Sequence, residues 1–221
     1  MHSLQFSDTA RELAAIGRRF YARGWVMGTS GNLSAVLTRR PLTLAITASA
    51  VHKGFLSEEQ ILLVDERGMP DSAAHLAPSA ECLLHIGIVG QRDCGAVLHT
   101  HSIWSTILSE HFAPRGGVEI EGYEMLKGLA GITSHQVTEF VPILENDQDM
   151  GSLSARLAGI LTEHPRAHAV LLRRHGVYTW GSTLAEAERH MEVLEFLFEA
   201  VGRSLSLRTL GEATYGALEN T

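Results

Sequence analysis

Two histidines separated by one residue, His99 and His101, stand in the run Ala96-Val97-Leu98-His99-Thr100-His101-Ser102. Side chains two apart on a strand share a face, so a strand here aims both imidazoles at one point. Zinc takes imidazole nitrogen and, where it is catalytic, keeps one position open. A third ligand must come from elsewhere, and His175 is the best placed. It sits in the tight turn Arg173-Arg174-His175-Gly176, just after a second apolar run. A single histidine beside a strand is usually packed or solvated. Three so placed favour one divalent metal per chain, with Zn2+ expected. His2, His52, His75, His111, His164 and His190 are read as surface residues.

Two carboxylates could work beside such a metal. Glu81 lies in Pro78-Ser79-Ala80-Glu81, which opens a helix with Ser79 as its N-cap. In a first turn a carboxylate relieves the helix dipole; the alternatives for Glu81 are a fourth ligand or a base. Glu124 follows the glycine pair Gly116-Gly117 on an expected loop. A loop carboxylate near a metal can act as general acid/base.

Three segments offer donors to an anion. Gly28-Thr29-Ser30-Gly31-Asn32 supplies backbone N–H groups, hydroxyls and an amide in a nest-like turn. Thr47-Ala48-Ser49-Ala50-Val51-His52-Lys53-Gly54 adds hydroxyls and a lysine. Ser79 stands at a helix N-terminus. Together with a metal, they point to a phosphorylated substrate.

The elements that must position these groups are legible from periodicity. Residues 8–23 read as a helix with Leu13, Ile16, Gly17 and Phe20 on one side. Residues 33–36 and 42–47 read as a hairpin around Arg39-Arg40-Pro41, and 61–64 as a further short run. A helix to Gly90, a strand over 95–101, a short helix over 102–110 and a strand over 137–143 follow. Residues 149–164 are helical, 169–172 and 177–180 are strands, and a last helix begins with Thr183 and Glu186 as a capping box. Strand and helix do not alternate as in a doubly wound parallel sheet. The expectation is a three-layer α/β/α fold with a largely antiparallel central sheet.

The bulk composition suits one domain spanning residues 1–221. Of the 221 residues, 45% are hydrophobic and 19% charged, enough for a substantial core, and the net charge is -7. No basic block suggests a nucleic-acid partner, and no apolar run has the length of a membrane span. Met1 to Asp8 lacks the stretches of a secretory signal. Cys82 and Cys94, with no CxxC, read as reduced thiols of a cytoplasmic protein.

These motifs carry a resemblance. Gly-Thr-Ser-Gly-Asn-Leu-Ser at 28–34, Pro-Ser-Ala-Glu at 78–81, His-Thr-His-Ser at 99–102 and Arg-His-Gly at 174–176 resemble the class II aldolase/epimerase family along nearly the whole chain. Residues 47–54, 124–128, 141–149 and 178–181 look most like a branch that dehydrates a phosphorylated keto-sugar. The resemblance implies zinc on His99, His101 and His175, with Glu124 as catalytic acid/base. It places Glu81 where the aldolases keep a carboxylate that binds the resting metal and abstracts a proton. It puts phosphate contacts on Ser30, Gly31, Asn32, Ser49, Lys53 and Ser79, and implies a homotetramer with active sites near subunit contacts. Tyr215 is a candidate to reach a neighbouring site. Ala50, Arg174 and Gly122 depart from the pattern, which has glycine at the first two positions and histidine at the third. The rival readings are a sugar-phosphate aldolase and a non-catalytic binding module like the adducin head.

Overall fold

The hairpin expected around Arg39-Arg40-Pro41 forms, as β1 (Asn32–Arg39) and β2 (Leu42–Thr47), with a cis bond between Arg40 and Pro41. It belongs to an eight-stranded sheet in a computed structural model that describes residues 2–71 and 75–218, and side chains from 4 to 207. The other strands are β3 (Ile61–Asp65), β4 (Ala96–Thr100), β5 (Gly117–Ile120), β6 (Glu139–Leu144), β7 (Ala169–Leu172) and β8 (Gly176–Gly181). Their order is β3-β2-β1-β4-β8-β7-β6-β5, and β6–β7 is the one parallel pairing among the described residues. The largely antiparallel sheet expected from the irregular element order is thus present. β5 lies outside the sequence expectations: four residues beside a glycine pair carry too little pattern to separate strand from loop.

Helices cover both faces. α1 (His2–Ala22) buries Leu13, Ile16 and Phe20 against the hairpin side. It is tied to α5 (Leu184–Leu218) through Arg19–Glu188 and Arg23–Glu192 ion pairs. α3 (Ile103–His111), capped by the Ser102 hydroxyl, lies against α5. α2 (Cys82–Arg92) and α4 (Met150–Glu163) pack on each other, with Leu84, Ile88, Leu153, Leu157 and Leu161 buried. α5 buries Leu184, Ala187, Met191, Leu194 and Phe198, the spacing that its sequence shows. Thr183 caps it by accepting from Glu186 N–H (3.1 Å), while the Glu186 carboxylate bonds Ser182 instead of closing the box.

Three expectations are corrected. α2 begins at Cys82, two residues later than expected, with Glu81 in the N-cap position. Ser79 does not cap the helix, because it lies in the turn before the helix start; its hydroxyl accepts there from Glu81 N–H and from the Asn32 amide. His190 is buried, with Nδ1 against the Trp180 carbonyl (2.7 Å) and Nε2 accepting from Ala130 N–H. His75 and His111 are exposed, whereas His52 and His164 are half-buried. His2 and Tyr215 lie outside the described side chains. No described helix is long and apolar enough to cross a membrane, and Cys82 and Cys94 are free and buried.

Candidate active site

Strand register sets the site. Asn32 of β1 pairs with His99 of β4, and His99 pairs with Tyr178 of β8. Residues paired across strands share a face, so these three side chains form one row. Thr100 points to the opposite face, where its hydroxyl donates to the buried Glu195 of α5 (2.8 Å). Burial raises the Glu195 carboxyl to about 7. Tyr178 stacks flat on His99, with ring centroids 3.9 Å apart and 9° between planes.

His101 lies one residue past the end of β4, and His175 in the turn before β8. Two glycines let the backbones close on the site. Gly31 has φ +71° and a Cβ there would stand 2.7 Å from the His99 carbonyl oxygen; at Gly176 a Cβ would stand 2.0 Å from the Thr100 oxygen.

The three imidazoles converge. His101 Nε2 stands 2.7 Å from His99 Nε2 and 3.1 Å from His175 Nε2. The Glu81 carboxylate closes the fourth side, 3.2 Å from His175 Nε2 and 3.6 Å from His99 Nε2. All four ligand atoms lie within 4.8 Å of one another. Nitrogens on a tetrahedral zinc stand about 3.3 Å apart, given bonds near 2.05 Å. His99 Nδ1 donates to the Val177 carbonyl (3.0 Å), which leaves the Nε2 lone pair facing the cluster.

Electrostatics favour ligand-ready, neutral rings. Burial drives His99 well below the ordinary histidine value, helped by His101 and His175. Burial, then His175 and Lys53, pushes His101 down to about 3. Burial lowers His175 as well, opposed by Glu81. A divalent cation satisfies these facing lone pairs and the adjacent carboxylate together, so the residues present fit a metal ion. Glu81 is therefore not a helix cap: it makes no capping bond and turns to the histidines.

Beside the cluster opens a cavity of about 130 Å³. Ser30, Gly31, Asn32, Ser49, Lys53 and Ser79 all line it, together with Glu81 and His101. Lys53 is 1% exposed, and its Nζ donates to the Thr29 and Val51 carbonyls. Burial lowers it to about 8, against the pull of Glu81. The Ser30 hydroxyl is buried and unpartnered.

Comparison with known proteins decides the family. Residues 11–201 match the family described as Class II Aldolase and Adducin N-terminal domain. The chain is 46% identical over 200 residues to a protein of Methylococcus capsulatus named methylthioribulose-1-phosphate dehydratase, covering 90% of this chain and 95% of that one. It is 39% identical to a protein of the same name from Geobacillus kaustophilus, covering 91% and 94%. The chain belongs to the class II aldolase family.

Among solved structures, L-fuculose-1-phosphate aldolase from Thermus thermophilus shares the fold, with TM-score 0.71 at 22% identity over 95% of this chain and 99% of that one. YgbL from Klebsiella pneumoniae gives TM-score 0.72 at 27% identity, covering 87% of each. In this class II aldolase chain, two departures from the family pattern have a conformational meaning. Ala50 and Arg174, which stand where the pattern has glycine, keep the left-handed backbone that glycine favours, at φ 56° and 57°.

Glu124 is not with the cluster. It opens a 3-10 turn, Glu124–Gly128, and its partners are Lys127 (2.5 Å) and His135 (3.3 Å). The Lys127 hydrogen bond lowers its pKa. Sequence reasoning also misses His85, Tyr178 and Glu195. A signal exists for His85, four residues after Glu81 and so on the same helical face. Tyr178 follows from register alone, which no local pattern reveals.

Proposed function

We propose that this chain binds one zinc ion and dehydrates 5-methylthioribulose 1-phosphate to 2,3-diketo-5-methylthiopentyl 1-phosphate, a step of methionine salvage in the cytoplasm. The observation that carries this reading is the convergence of three imidazoles and Glu81 beside a small cavity. The chain's likeness to relatives named for that reaction supports it. Three imidazoles and a carboxylate are ligands that suit zinc, and the complete histidine set speaks against a non-catalytic adducin-like module. One hydrophobic cluster running through all three layers supports a single domain over residues 1–221.

His99, His101 and His175 would hold the metal ion, which would supply Lewis-acid stabilisation of charge developing on the substrate's ketone oxygen. Lys53, Ser30, Ser49, Ser79 and the backbone at Gly31 and Asn32 hold the phosphate, which fixes the C1 end and orients C3 and C4. Glu124 takes the C3 proton and delivers it to the departing C4 hydroxyl, which leaves as water. The resulting enol tautomerises to the diketone.

Glu124 pairs with Lys127 and His135 of its own chain, so we infer that it serves the metal site of a neighbouring copy in a homotetramer. Ile103 and Ile107, exposed one turn apart on α3 directly after His101, support such a contact. A second reading, a sugar-phosphate aldolase, is favoured by Glu81, the carboxylate nearest the cluster. Incubating the protein with methylthioribulose 1-phosphate separates them. Dehydration gives diketone absorbance; C3–C4 cleavage gives dihydroxyacetone phosphate, and its appearance without diketone would overturn the proposal.

A further inference from the structure

Behind the Glu81 carboxylate runs a chain of buried polar groups that the proposed reaction does not use. His85 of α2 lies over β1, where Ser34 and Asn32, two residues apart, share the face toward it. Its Nδ1 stands 2.7 Å from the Ser34 hydroxyl. Its Nε2 bonds the Asn32 side-chain oxygen. The Asn32 amide nitrogen then donates to Glu81 Oε2 (2.5 Å). His85 and Ser34 are 0% exposed and Asn32 4%.

Donor and acceptor bookkeeping fixes every direction in this chain. A carboxylate only accepts, so Asn32 must turn its NH2 to Glu81 and its oxygen to His85. That oxygen also only accepts, so His85 carries its proton on Nε2. Burial pushes His85 down to about 3, so the ring is neutral and Nδ1 holds a lone pair. Ser34 therefore donates to His85. The other tautomer would set two lone pairs against each other at Asn32. Turning the amide over to relieve that clash would set its oxygen against Glu81.

We propose that His85 is a positioning residue: through Asn32 it fixes the Glu81 carboxylate, leaving Glu81 Oε1 turned to His175 and the metal position. The relay rests on the reading that a metal sits at the histidine cluster. Outer-shell partners of metal ligands typically carry 10- to 100-fold in metal affinity.

The test is zinc affinity, by competition with a chromophoric chelator, for the full chain and five variants: His85→Leu, His85→Gln, Ser34→Ala, Glu81→Gln and the double variant His85→Leu/Glu81→Gln. Glutamine places an amide near the Nε2 position and keeps the donor to Asn32; leucine keeps bulk only. His85→Leu is expected to weaken zinc by about 10-fold or more, with His85→Gln within about threefold of wild type. In the Glu81→Gln background, His85→Leu is expected to have no further effect, which separates action through Glu81 from simple packing. Equal losses in both backgrounds, or equal losses for Gln and Leu, would overturn the relay. Where His85→Leu does not fold, Ser34→Ala decides: a several-fold loss of zinc with an unchanged melting temperature supports the relay, and unchanged zinc affinity overturns it. Zinc uptake by wild type that the His85 variants leave unchanged overturns the relay alone. No uptake by wild type overturns the metal reading, and the relay with it.

Discussion

The histidine cluster and the Glu124 turn are built in opposite ways. The cluster draws its groups from strand ends and a helix start, with His99 fully buried and its ring held by Tyr178 and the Val177 carbonyl. Glu124 sits on a short turn with a side chain 69% exposed and a neighbouring lysine as its partner. Groups that must meet within a few tenths of an ångström gain from a packed core that holds them before substrate arrives. A group placed by contact with another copy need only be presented at the surface. In the proposed enzyme, one chain thus completes the metal and anion half of the site, while the proton-transfer half awaits assembly.

The largest effect should come from the buried half. His99→Ala is expected to drop metal content from one ion per chain to near none by elemental analysis. Full occupancy in that variant would remove the cluster as the metal site and leave nothing to set against the turn. Glu124→Gln should leave metal content and fold intact while turnover falls about 10²- to 10⁴-fold, the usual cost of losing a general acid/base. Glu81→Gln should be the milder of the two in turnover. A dead Glu81→Gln beside an active Glu124→Gln would point to aldolase-like proton abstraction.

Lys53→Ala should raise the apparent KM by roughly 10- to 150-fold, the worth of about 1.5–3 kcal/mol for a hydrogen bond to a charged group. The pH dependence adds a second signature. Burial disfavours the charged form and sets Lys53 near 8, so it is charged below that pH and loses its charge above it. Wild-type KM should therefore climb as pH rises through about 8, and Lys53→Ala should lack that rise. Coinciding profiles would remove Lys53 from the substrate site. The smallest effect concerns the backbone: Ala50→Gly removes a left-handed alanine, and should stabilise the fold by about 0.5–1 kcal/mol, read as a higher melting temperature. A lower melting temperature would show that the turn is unstrained.

Much of the fold and the cluster is legible in the sequence. The His99/His101 spacing, the turn holding His175 and the hairpin carry local periodicity and turn chemistry, which sequence exposes directly. All six residues expected at the phosphate line one cavity, because short motifs mark where backbone and hydroxyl donors cluster. What stays hidden depends on partners distant in sequence. From its position alone Glu81 reads first as a helix-dipole partner, with a fourth ligand or a base as the alternatives, and Asn32 and the histidines around it favour the alternatives. His190 reads as surface although it lies next to the buried stripe of Ala187, Met191 and Leu194. Tyr178 acquires its place from the β4–β8 register, which no local window contains.

The division of the site between two copies can be tested by co-expressing His99→Ala and Glu124→Gln chains. Each parent alone should be inactive. If Glu124 serves a neighbour, a cluster from a Glu124→Gln chain meets an intact Glu124 from a His99→Ala chain. Random mixing in a closed oligomer then restores about a quarter of wild-type turnover. A mixed assembly as inactive as its parents would place cluster and acid/base in the same chain and overturn the division.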